Sequence, residues 1–129
     1  MLYAILCYHS EETVTNWTKE EDDAVMARLH GVHEKLIRKG QLGPTARLLP
    51  TSTATTLLKS QDRVIDGPYA ETKEQLLGFY IVDVADREAA VEVARDLARA
   101  NPGGAYELRP VGLFTDNALA QTEESTETA

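Results

Sequence analysis

One cysteine, Cys7, is all the thiol this chain carries, so a disulfide within it is ruled out. That usage suits a reducing compartment. Set in an apolar run, Cys7 reads as a small hydrophobe packed in a strand. No apolar stretch reaches the roughly 20 residues that a membrane-spanning helix needs. The opening run LYAILCY lacks the basic flank and small-residue cleavage site of an export signal, so the expectation is a cytoplasmic protein with no membrane contact. Positive charge is also scarce: 13 Lys and Arg stand against 21 Asp and Glu, a formal net charge of -8. A phosphate-binding surface would need a concentrated basic patch to overcome that charge. Arg28, Lys35, Arg38 and Lys39 come nearest, but they share one predicted helix with acids and gather toward its C-terminal end, where cations complement the helix dipole. Direct nucleic-acid binding is not expected. The phosphate-loop patterns GxxxxGK[ST] and GxGxxG and the GxSxG nucleophile elbow are missing too, which removes nucleotide enzymes and serine hydrolases of those types.

What is there suffices for one core. The 129 residues make one domain without disulfides or a structural metal. Residues 2–9, LYAILCYH, form an apolar run of strand length. Thr18 followed by Glu21 has the spacing of a capping box and predicts a helix start. Val25, Met26, Leu29, Val32, Leu36 and Ile37 follow on helical spacing, and Gly40 suits the exit. Residues 41–50 hold Pro44 and read as an irregular or edge strand. TATTLLK and RVID, with SQD between them, read as a hairpin. Gln75 to Val84 is a strong strand, Asp86-Arg87-Glu88 opens a second amphipathic helix, and Asn101-Pro102-Gly103-Gly104 stops it. AYELRPVGLF supplies a last strand. Residues 1–114 are thus read as the domain and 115–129 as an acidic, mobile tail.

That order is an α+β, ferredoxin-like βαββαβ unit with an inserted β-hairpin, its two helices on one face of an antiparallel sheet. The strand from Gln75 is apolar on both sides, with Leu76, Tyr80 and Val82 alternating against Leu77, Phe79 and Ile81. A second cover is therefore required. The expectation is a homodimer whose sheets face each other as a dimeric α+β barrel.

The polar passage DGPYAETKEQ, Asp66 to Gln75, runs directly into that strand. Asp66-Gly67-Pro68 is stiff turn chemistry. Asp66 either caps the turn or serves as a carboxylate for acid or base work at the sheet end. Glu71 and Lys73, two apart, project to one side of an extended segment and are candidates to bracket a ligand, with Tyr8, His9 and Tyr69 beside them as pocket lining. Helical spacing puts His33 within the apolar stripe and His30 at its margin, so either is a candidate partner for Asp66 in an acid–base couple. His9 with the two helical histidines would be a metal set only if an acid or thiol stood at a known spacing, and none does. No metal or cofactor is assigned.

The stretch DGPYAETKEQLLGFYIVDV, Asp66 to Val84, resembles the signature of the YCII-related proteins, in the branch named for its DGPF motif and often written DGPFAETKE. Tyr69 stands where that branch usually has Phe, and Leu77 where a second Gly is common. A looser likeness runs over roughly residues 1 to 114: the first strand, a helix ending at Gly40, the TATT strand and a terminal ELRPV. The resemblance implies a dimeric α+β barrel, a cleft where a helix histidine meets the loop aspartate, and an association with extracytoplasmic-function sigma factors. Two functions follow. One is a cofactor-independent enzyme moving a proton on an unknown small molecule, as a lyase, isomerase or elimination catalyst, with Asp66 and His33 or His30. The other is a non-catalytic ligand-binding or accessory protein in a sigma-factor pathway.

Overall fold

The computed structural model describes residues 1–115, so the acidic segment from residue 116 onward, nearly all of the expected tail, lies outside the described residues. Strand β1 runs Leu2–Ser10, and a short helix α1, Glu11–Thr15, follows at once. The Ser10 hydroxyl accepts the Thr13 amide there, an N-cap that sequence reading passed over. Helix α2, Lys19–Arg38, begins with the expected reciprocal capping box between Thr18 and Glu21. After it come the edge strand β2, Leu42–Arg47, a 3-10 turn at Thr51–Thr53, and the hairpin strands β3, Thr55–Leu58, and β4, Arg63–Asp66, with a second 3-10 turn at Lys59–Gln61 between them. Strand β5, Glu74–Asp83, helix α3, Arg87–Ala100, and strand β6, Ala105–Pro110, complete the order.

Four strands pair antiparallel in the order β2-β5-β1-β6, while β3 and β4 form a separate two-stranded sheet. This is the expected α+β arrangement with its inserted hairpin. Alternation along β1 turns Tyr3 and Ile5 toward the helices, opposite Val82 and Tyr80. They meet Val25, Leu29 and Leu36 of α2 and Ala90, Val93 and Leu97 of α3 in one buried core. Ile5, Val82 and Leu97 are fully buried, each worth roughly 1.5–3 kcal/mol of transfer free energy. Ile37, placed in the stripe by three-and-four spacing, is 62% exposed instead. Arg28 Nε donates to the Ala100 carbonyl at 2.9 Å, tying α2 to the C-terminus of α3.

The opposite sheet face carries Leu6 across from Phe79 and Ala4 across from Ile81. These four are half-buried and stand outside the core. One assignment needs correction. The β1–β5 register shifts at Cys7/Tyr8, so Gly78 faces Cys7 but Leu76 faces Tyr8. This bulge moves Leu76 off the face of Tyr80 and Val82, where strict alternation had put it, onto the face of Phe79 and Ile81.

Candidate functional site

A cavity of about 190 Å³ opens between α2 and the sheet at the end of the core. Val14, Trp17, Val25, Met26 and Leu29 give it an apolar wall. Polar groups meet the other side: Cys7 and His9 from β1, His33 from α2, Tyr80 from β5, and Asn101 and Tyr106 from beyond α3. Asp22 and Arg47 also line it, joined in an ion pair at 3.1 Å with both side chains partly in solvent, and Arg47 Nη1 reaches Met26 Sδ at 3.8 Å. Strand and helix geometry brings these residues together. Cys7 and His9 continue the helix-facing series of Tyr3 and Ile5, while His33 stands one turn from Leu29 and Leu36.

His33 Nε2 lies 3.0 Å from the Tyr80 hydroxyl, and the two rings meet edge to face at 5.3 Å. Burial, with the nearby His30 secondarily, lowers the His33 pKa below its ordinary 6.5, so its imidazole is neutral at pH 7. Burial pushes the Tyr80 phenol up to about 12 and the Cys7 thiol up to about 12, so both keep their protons. Tyr106 is shifted upward for the same reason. Cys7 is therefore an inert lining group. The polar side of the cavity is rich in hydrogen-bonding atoms and holds one base-and-phenol pair.

His9 is fixed in place by its surroundings. Its ring meets Trp17 edge to face at 6.1 Å. Its Nε2 edge lies against Gly103, where an added Cβ would sit only 2.8 Å away, and a Cβ at Gly104 would come within 2.2 Å of the Tyr8 carbonyl oxygen. Both glycines have positive φ, so the corner that stops α3 is also the seat of the histidine.

The residues singled out in the sequence divide between two places. His33, His9 and Tyr8 line the cavity just described. Glu71 and Lys73 line a separate, more polar groove of about 410 Å³ with Ser10, Glu11, Thr51 and Pro68. There the Glu11 carboxylate accepts both the amide and the hydroxyl of Thr51, each at 2.5 Å, and Gln75 Nε2 donates to the Thr72 carbonyl at 2.9 Å. Asp66, Tyr69 and His30 line neither. Asp66 ends β4 opposite Thr55, exposed, and the turn after it is held by the Gly67 amide on Ala54 and by the Thr56 hydroxyl on the Gly67 carbonyl. The expected meeting of Asp66 with a helix histidine is thus not made within the chain, because the hairpin carries Asp66 away from α2. Tyr69 is 81% exposed. His30 is solvent-facing and pairs with Glu34 at 3.1 Å, which resolves the choice between the two histidines for the cavity in favour of His33. Among the described residues no three of His, Cys, Asp and Glu converge as a metal-binding group.

Asn101, Tyr106 and the Asp22–Arg47 pair were not anticipated as site residues. As an aromatic of β5, Tyr80 was readable either as pocket lining or as core packing. Asn101 looked like a helix stop, and nothing local marks a C-cap asparagine as lining a cavity.

The family model described as YCII-related domain matches residues 1–115. An uncharacterized protein of Rhizobium meliloti (strain 1021) is 52% identical over 122 residues, covering 92% of this chain and 98% of its own. Among the described residues no helix is long and apolar enough to cross a membrane.

Proposed function

The chain belongs to the YCII-related domain family, and from that premise we propose that it binds a small, mostly apolar molecule in the α2–sheet cavity and moves a proton on it through His33 and Tyr80. The contact of His33 Nε2 with the Tyr80 hydroxyl at 3.0 Å, inside a cavity with an apolar wall, carries this reading. A neutral imidazole is available as a base, and a phenol that holds its proton is a donor. As an acidic proton of the ligand moves to the Tyr80 oxygen, the phenolic proton moves to Nε2. An imidazolium and a ligand anion result, and reversal at another ligand atom completes an isomerisation. Loss of a leaving group from the anion would make it an elimination. Neither step calls on a cofactor. Tyr80 therefore takes the place expected of Asp66, which lines neither the cavity nor the groove.

The working unit in this proposal is a homodimer, supported by the apolar sheet face of Leu6, Phe79 and Ile81. The test is a metabolite-library screen in D₂O followed by proton NMR. Wild type should exchange a C–H of one ligand for deuterium. His33→Gln and Tyr80→Phe should slow that exchange by about 10²-fold or more while remaining folded, and Asp66→Asn should leave it intact. A ligand that binds this cavity without exchange would replace catalysis with the accessory, ligand-binding function. Equal exchange by His33→Gln would refute the proton route.

A further inference from the structure

Two residues that line the cavity each carry a buried polar atom with no partner among the described residues: His9 Nδ1 and Asn101 Oδ1. Buried polar atoms are rarely left unmatched, since each costs a substantial part of a hydrogen bond. Both side chains belong to built positions. His9 is held by Trp17 and the Gly103–Gly104 corner. Asn101 is fixed at the end of α3 by its own amide on the Leu97 carbonyl, with Arg28 on the Ala100 carbonyl beside it. Neither belongs to the His33–Tyr80 pair that moves the proton.

We propose that His9 and Asn101 form the recognition end of this cavity, and that its ligand is an uncharged, largely apolar molecule bearing a hydroxyl group. The inference rests on the cavity being the ligand site. Asn101 Oδ1 can only accept, so the ligand must offer a donor. His9 Nδ1 donates in one neutral tautomer, and a hydroxyl both gives and accepts, so it is the simplest single group whose chemistry matches the two atoms. Charge on the ligand is disfavoured by its surroundings. Arg47 and Asp22 already neutralise each other, so neither stands free to pair with a charge on the ligand. The volume suits a molecule built on a single six-membered ring, since an apolar protein cavity of roughly 150 Å³ accommodates benzene.

The experiment is an NMR titration of the full chain with three probes of similar size: benzyl alcohol, ethylbenzene and benzoate. Benzyl alcohol should perturb the His9 ring and Asn101 side-chain amide signals and bind at least about tenfold tighter than either other probe, the hydroxyl being the group that matches the unpaired atoms. In Asn101→Leu that preference should fall to within about twofold, with ethylbenzene affinity kept or improved. Should Asn101→Leu not fold, His9→Phe serves the same purpose. Equal binding of benzyl alcohol and ethylbenzene by wild type, as when water alone satisfies the two atoms, overturns the recognition role but leaves the cavity as a ligand site. Failure of all three probes to perturb any cavity residue overturns both.

Discussion

His30 and His33 stand three positions apart on α2 and meet opposite fates. At about 100° per residue, with the buried stripe centred on Leu36, His33 falls about 60° from the centre, Ile37 about 100° and His30 about 120°. The helix face that the sheet covers reaches His33 but not the other two. The outcome is a neutral imidazole beside Tyr80 and a solvated one beside Glu34. This gives stability a pH dependence with a definite sign. The folded-state pKa of His33 lies below the 6.5 of a free imidazole, chiefly through burial. Above pH 6.5 the folded and unfolded states are both neutral there and the contribution is complete. As pH falls through that value toward the lowered folded pKa, the unfolded chain takes up the proton first and stability is lost. Urea denaturation at about pH 7.5 and about pH 5 should show wild type losing more stability than His33→Gln over that interval. An identical loss in both would mean that His33 is not shielded by α2 and the sheet. The angular arithmetic needed only the sequence, so His33 was legible in it. Tyr80 as its partner was not, since that depends on β5 lying beneath α2.

Elements whose causes are local were readable, and the register between strands distant in sequence was not. The α2 start is written in Thr18 and Glu21, which satisfy each other's backbone within one turn. Helix α3 is likewise written between Asp86, whose carboxylate accepts the Ala89 amide, and the glycines after Asn101. The bulge in β5 depends on where β1 sits, and no stretch of β5 alone announces it. Gly78 at that bulge is a consequence. A Cβ there would lie 2.4 Å from the Ala46 carbonyl oxygen of β2, a rigid backbone atom that cannot move without shifting the edge strand. Gly78→Ala should therefore destabilise by about 1–3 kcal/mol in urea denaturation. Gly31→Ala, on the exposed side of α2 with nothing within 4 Å of its Cβ, should stabilise by about 0.5–1 kcal/mol. A neutral Gly78→Ala would show that β2 is free to move away, and with it the cavity wall that Arg47 supplies. The motif loop was legible as a turn and as a charged lining, but the sequence gives no distance between that loop and α2. For that reason the expected meeting of Asp66 with a histidine could not be judged from sequence, and it is not made within one chain.

At the scale of the whole molecule the unresolved demand is the second sheet face. Four strands about 4.8 Å apart, each contributing about six residues at about 3.3 Å, make a patch on the order of 400 Å². A standard interface takes about 800 Å² from each partner. The sheet alone therefore falls short, and the hairpin offers the remainder. Its Leu57 and Val64 are a directly opposed cross-strand pair, exposed at 52% and 64%, and Tyr69 follows on the same excursion of the chain. Exposed apolar pairs on a projecting arm are costly for a monomer and useful for gripping a twin. If both surfaces serve one dimer, the protein at micromolar concentration should sediment at about twice its 14.2 kDa chain mass. Leu6→Glu, placing a charge opposite Phe79 at the centre of the face, should yield a folded monomer with unchanged helical circular dichroism. Leu57→Ser should weaken the dimer without abolishing it, because the sheet contact persists. Wild type sedimenting as one folded chain would mean that Leu6, Phe79 and Ile81 tolerate water, and that the two-sided apolar strand requires no partner.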